Sequence, residues 1–225
     1  MLDPKDYVGV TFWIMSAAMV AATYFFTVER DRVDGKWKTS LSVAAMVTGI
    51  AAIHYFYMRG VWVETGQSPT VFRYVDWLLT VPLQIIEFYL ILAAIAVVRA
   101  ALFWKLMVAS VVMLVAGYLG EVGEVSYWPA FVVGLAGWLY IIYEIFAGEA
   151  SKVSASQGTA ASQAAFNALR LIVTVGWAIY PIGYFLGAGA DGSAALNIVY
   201  NLADFVNKIA FGVVIWTAAT RSAEA

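Results

Sequence analysis

The sequence predicts an all-α membrane protein, one bundle of seven membrane-spanning helices that takes up residues 1–225. Three observations predict it. Of the 225 residues, 63% are hydrophobic and 12% charged, too few charges for the surface of a soluble domain of this size. Mean hydropathy is +0.80. Apolar segments of about 20 residues, the length that crosses a bilayer, recur seven times along the chain. They are continuously apolar and do not alternate over about ten residues, so they read as helices and not as barrel strands.

The spans fall at 7–28, 37–59, 70–94, 102–120, 125–147, 162–186 and 193–219. The first follows the polar Met1-Leu-Asp-Pro-Lys-Asp-Tyr7. That stretch has no secretory-leader pattern and is compatible with a cleaved leader ahead of it. The third contains Pro82, which reads as a kink. The longest connection, Gly148-Glu-Ala-Ser-Lys-Val-Ser-Ala-Ser-Gln-Gly158, is small and polar, so it reads as a flexible loop. No room is left for a second domain.

Lysine and arginine set the expected orientation. Arg30, Arg32, Lys36, Lys38, Arg99, Lys105, Lys152, Arg170 and Arg221 fall on one side, against Lys5 and Arg59 on the other. The N-terminus is therefore expected outside and the C-terminus in the cytoplasm. There are no cysteines, hence no disulfide framework. A net charge of −2 gives no electrostatic case for binding nucleic acid.

The most informative residues lie in the seventh span, Asn201-Leu-Ala-Asp204-Phe-Val-Asn-Lys208-Ile-Ala-Phe-Gly212. An ammonium and a carboxylate at bilayer depth are costly unless they serve a function. At an i, i+4 spacing both point to one face of a helix. Such a lysine can form a Schiff base with an aldehyde, and the aspartate can hold the resulting cation.

The third span adds Arg73-Tyr-Val-Asp76-Trp-Leu-Leu-Thr80-Val-Pro82-Leu-Gln84-Ile-Ile-Glu87. Arg73, Asp76, Thr80, Gln84 and Glu87 fall on one helical face. Asp76 and Glu87 are separated by about 16 Å of helix, half the bilayer core. With the N-terminus outside, Asp76 lies in the outer half and Glu87 in the cytoplasmic half, which suits a stepwise proton path. A single carboxylate can be a satisfied structural group. Two on one face, with Arg73 a turn before the first, argue for function. Thr80 alone would mean little, because membrane threonines often bond their own backbone.

These segments, together with Trp177-Ala-Ile-Tyr180-Pro181, closely resemble the microbial rhodopsins and, within them, the proteorhodopsins. The resemblance covers essentially the whole chain. It implies that Lys208 carries all-trans retinal as a protonated Schiff base. Asp76 would be the main counterion and proton acceptor, Asp204 the second counterion, and Arg73 the group balancing the pair. Glu87 falls at the family's proton-donor position, where glutamate resembles proteorhodopsins and not bacteriorhodopsin. The set Asp76, Thr80 and Glu87 resembles that of proton pumps. Chloride pumps lack the first carboxylate, and sodium pumps carry a different triplet. The implied activity is a light-driven outward proton pump in a bacterial inner membrane, an ion transporter and not an enzyme, with no metal site.

In a proton path of this kind the isomerising polyene weakens the charge pair and the proton passes to Asp76. Reprotonation from Glu87, on the opposite side, makes transfer vectorial. An apolar surround favours the neutral form of Glu87. The expected aromatic pocket comprises Trp77, Trp177, Tyr180 and Tyr184, with Met113 and Tyr55. Tyr184 stands where bacteriorhodopsin has tryptophan. Gln84 occupies the position that separates green-absorbing proteorhodopsins, with leucine, from blue-absorbing ones, with glutamine, so a blue pigment is implied. His54, the one histidine, aligns with the family histidine that pairs with the counterion and is expected to tune Asp76. Trp13 and Glu29-Arg30-Asp31 align with the ring interface of proteorhodopsin oligomers, implying a pentamer or hexamer. Glu121, Glu124 and Asp191 are candidate exit-side groups. A photosensor of the same fold is the alternative function. A retinal-free receptor or transporter would have to hold Lys208 by Asp204 alone.

Overall fold

The computed structural model describes residues 3–33, 35–187 and 194–223. Asp191 lies outside them. The helices in chain order are α1 (Tyr7–Glu29), α2 (Trp37–Thr65), α3 (Thr70–Ile95), α4 (Ala100–Glu121), α5 (Tyr127–Phe146), α6 (Glu149–Gln157), α7 (Ala160–Leu171), α8 (Ile179–Gly187), α9 (Ala194–Asp204) and α10 (Phe211–Ala223). Wider, π-helical turns over Ile172–Gly176 and Phe205–Ala210 join α7 to α8 and α9 to α10. Seven resulting rods are long and apolar enough to cross a membrane, as the sequence predicts.

Local chemistry sets the ends. The Asp6 carboxylate accepts the Gly9 N–H at 2.9 Å and so caps α1, and the same oxygen accepts Trp62 Nε1–H at 3.0 Å from α2. Gly66, at φ +66°, ends α2 in the left-handed conformation that favours glycine. The chain stays helical through Pro82.

The expected loop at Gly148–Gly158 is a correction, because most of it is α6. The stretch from Glu149 to Gln157 holds no glycine or proline, so nothing in it breaks a helix. Glu144, buried near the end of α5, accepts the Glu149 N–H through Oε2 at 2.9 Å and satisfies a donor of the first turn. Arg99 then grips Glu149 with two hydrogen bonds of 2.9 Å each.

Helices α4 and α5 pack closely because glycines face main chain. A Cβ on Gly137 would lie 2.9 Å from the Ala109 carbonyl oxygen. Such small-residue contacts replace hydrophobic driving force inside a bilayer. On the opposite flank Trp216 of α10 donates to Glu29 of α1 at 2.9 Å.

Candidate functional site

The polar stripe of α3 turns inward. Arg73, Asp76, Thr80, Gln84 and Glu87 are all buried, as are Asp204 and Lys208. A second stripe, Asn197, Asn201, Asp204 and Lys208, runs along α9 into the π-helical turn at spacings of four, three and four, and these residues are buried too. Two polar faces that cannot meet lipid therefore meet each other.

Lys208 Nζ stands between two carboxylates, donating to Asp76 Oδ2 and, at 3.0 Å, to Asp204 Oδ2. The carboxylates differ in what else they accept. Asp204 Oδ2 also takes the Tyr55 hydroxyl at 2.7 Å, and Oδ1 takes the Tyr180 hydroxyl at 2.5 Å and Trp77 Nε1–H at 3.3 Å. Asp76 Oδ1 has no hydrogen-bond partner among the described residues. His54 Nδ1 lies 3.7 Å from it, too far for a hydrogen bond, and 2.9 Å from the Ile50 carbonyl of its own helix.

Arg73 touches neither aspartate directly. Its Nη2 donates to Asn197 at 3.0 Å and Asn201 at 3.2 Å, and the guanidinium stacks near Phe12 and Tyr200. Glu87 is fully buried beside Ser40 of α2, and neither carboxylate oxygen has a hydrogen-bond partner among the described residues.

A cavity opens from Lys208 and Asp204 between α3, α4, α5, α8 and the α9 strut. Its wall includes Trp77, Gln84, Met113, Trp177, Tyr180 and Tyr184, with Tyr74, Phe131, Trp138 and Tyr200 as further aromatics. Two residues singled out in the sequence, Tyr55 for the pocket and Thr80 on the α3 stripe, stand outside the cavity wall. Tyr55 is absent from the lining because α2 approaches from the far side of Asp204, where its hydroxyl is spent. Thr80 is also absent, its hydroxyl donating to the Asp76 main-chain oxygen at 2.9 Å. Gln84 reaches the Asn207 carbonyl at 2.9 Å. The arrangement fits a long apolar aldehyde. An amine for covalent attachment sits at one end, aromatic side chains flank the path, and two carboxylates are placed to hold a cation on that nitrogen.

Other expected residues scatter. Glu121 and Glu124 lie around the α4–α5 turn, Glu124 exposed and Glu121 turned towards Tyr74 of the cavity wall and Arg73. Trp13 is exposed, packing edge-on against Phe56 with the Arg59 guanidinium over its ring. Glu29 is buried and turned inward to Trp216 and Arg32, whereas Arg30 and Asp31 remain exposed. Sequence reasoning passed over Asn197, Asn201 and Asn207. The spacing of the first two with Asp204 and Lys208 was an available signal. Nothing in the pattern marked Asn207.

A family model described as bacteriorhodopsin-like protein matches residues 6–222. The green-light absorbing proteorhodopsin of Gamma-proteobacterium EBAC31A08 is 60% identical over 223 residues, covering 98% of this chain and 89% of that protein. The blue-light absorbing proteorhodopsin of Gamma-proteobacterium Hot 75m4 is 58% identical over 224 residues, with the same coverage of 98% and 89%. Among solved structures, blue light-absorbing proteorhodopsin from Med12 is 58% identical with a TM-score of 0.83, covering 96% of this chain and 99% of that one. Xanthorhodopsin, described as a light-driven ion pump with dual chromophore, is 29% identical with a TM-score of 0.87, covering 99% and 96%.

Proposed function

The chain belongs to the bacteriorhodopsin-like family, and on that premise we propose that it is a light-driven outward proton pump, with all-trans retinal on Lys208 as a protonated Schiff base and absorption in the blue. One observation carries this reading: the Lys208 nitrogen faces an aromatic cavity and lies between two carboxylates of unequal hydrogen-bond supply. Bound there, retinal supplies light absorption and a light-driven change of geometry at the Lys208 nitrogen.

The protein's part follows from the inequality. Asp204 already accepts Tyr55, Tyr180 and Trp77, and donors aimed at a carboxylate favour its charged form. Asp76 lacks such support on Oδ1, so it is the base that gains most by taking the proton from Lys208. Arg73, held by Asn197 and Asn201, supplies fixed positive charge on the side towards which the proton leaves. Glu87 holds a proton for return, because a buried carboxyl without a cationic partner is far cheaper neutral than charged. His54 adjusts Asp76 through space.

The lysine and arginine asymmetry supports an N-terminus outside and a C-terminus in the cytoplasm of a bacterial inner membrane. Acceptance then lies on the outer half and donation on the cytoplasmic half, giving outward transport. A pentamer or hexamer is part of the proposal, with exposed Trp13, Arg30 and Asp31 at its contacts. Crosslinking in bilayers that traps only monomer would remove that part.

The deciding experiment records external pH in cells that express the chain with all-trans retinal, under blue light, with and without a protonophore. Acidification abolished by the protonophore is expected. A blue pigment with no pH change would favour a photosensor, and no pigment at all would sink the retinal reading.

A further inference from the structure

The two π-helical turns, one between α7 and α8 and the other between α9 and α10, face each other beside Lys208, and Asn207 fills the space between them. Its side chain is buried. Nδ2 donates one hydrogen to the Gly176 carbonyl at 3.0 Å and the other to the Tyr180 hydroxyl oxygen at 3.2 Å. The carbonyl of Gly176 fixes the amide orientation, since the reverse would set two acceptor oxygens together. Any side chain at Gly176 would collide with Asn207 Oδ1, so glycine there lets the amide in.

A phenol has one proton to give. With its oxygen accepting from Asn207, Tyr180 directs that proton to Asp204 Oδ1 at 2.5 Å. A hydroxyl that accepts one hydrogen bond also donates more strongly. The chain Asn207–Tyr180–Asp204 therefore loads donation onto one member of the carboxylate pair, while Asp76 receives nothing equivalent.

We propose that Asn207 is a positioning residue of the proton-transfer site, aiming the Tyr180 proton at Asp204 so that Asp204 stays charged and Asp76 takes the proton. The inference rests on the pump reading above. It assigns the choice between two nearby aspartates to a residue that touches neither.

The test uses the full chain with all-trans retinal in liposomes and light-minus-dark infrared difference spectra of the carboxyl groups. In the parent chain a single positive protonated-carboxyl band should appear, distinct from the negative band of Glu87 as it gives up its proton, and Asp76→Glu should move the positive band. In Asn207→Leu a second band is expected, unmoved by Asp76→Glu, with the share of protons on Asp204 rising about tenfold, the scale of one hydrogen bond to a charged group. Tyr180→Phe should give the same second band, and adding Asn207→Leu to it should change nothing further, because the route through the phenol is already gone. Tyr180→Phe also keeps the proposal testable if Asn207→Leu does not assemble.

A single band in Asn207→Leu overturns the proposal. So does a second band that grows equally with and without the Tyr180 hydroxyl, which would mark Asn207 as packing only. If the parent chain forms no visible pigment with retinal, the pump reading itself fails. A parent that forms pigment and moves its proton, beside variants that match it, removes this inference alone.

Discussion

Gln84 donates from α3 to the main-chain oxygen of Asn207, 2.9 Å away and one residue before Lys208. At the end of the π-helical turn the N–H of Phe211, which would reach Asn207 in a regular α-helix, bonds the Lys208 carbonyl. A polar amide beside a cationic chromophore favours the localised ground-state charge over a delocalised excited state. Gln84→Leu should therefore move the visible maximum to longer wavelength. An absorption spectrum after addition of retinal checks this, and an unmoved maximum would remove Gln84 from colour tuning.

The difference between the two buried carboxylates of α3 predicts separate kinetic defects. Asp76→Asn should abolish light-driven acidification, since an amide cannot accept the proton. Glu87→Gln should leave acceptance intact and slow the return of the proton by about a hundredfold, the lower range for loss of a positioned proton-transfer group. The slowed step should also become proportional to proton concentration in the medium. Flash photolysis across a pH series distinguishes the two.

His54 stands 3.7 Å from Asp76 Oδ1 while bonding its own helix at Ile50. Replacing it with phenylalanine, which keeps the bulk, should move the pH at which the pigment changes colour in acid. Titration of the visible spectrum reads this directly. An unchanged transition would leave His54 a structural group.

Gly137 meets the main chain of α4, where an added Cβ would lie 2.9 Å from the Ala109 oxygen and 3.1 Å from Met113 Cβ. Gly137→Val should force α4 and α5 apart and cost about 1–3 kcal/mol, the range for overpacking. Met113 lines the cavity, so the pigment should bleach at a lower temperature. Thermal bleaching compared with the parent would show it.

The sequence by itself determined the number of spans, the inward face of α3 and the pairing of Asp204 with Lys208. Each follows from a one-dimensional rule: apolar length against bilayer thickness, and helical periodicity applied to polar residues. It misread Gly148–Gly158, since small polar composition suggests a loop, while the Glu144 carboxylate that starts α6 is contributed by the preceding helix. The tertiary structure decided the rest. It placed Tyr55 behind Asp204 and not in the cavity wall, gave Arg73 two asparagines as partners, turned Glu29 inward to Trp216, and brought Asn207 to Tyr180 across two π-helical turns. Those outcomes depend on which donors from different helices converge on a single oxygen atom. Periodicity assigns a residue to a face, but a hydrogen bond forms or fails within a few tenths of an ångström, and that precision exists only once the helices have packed.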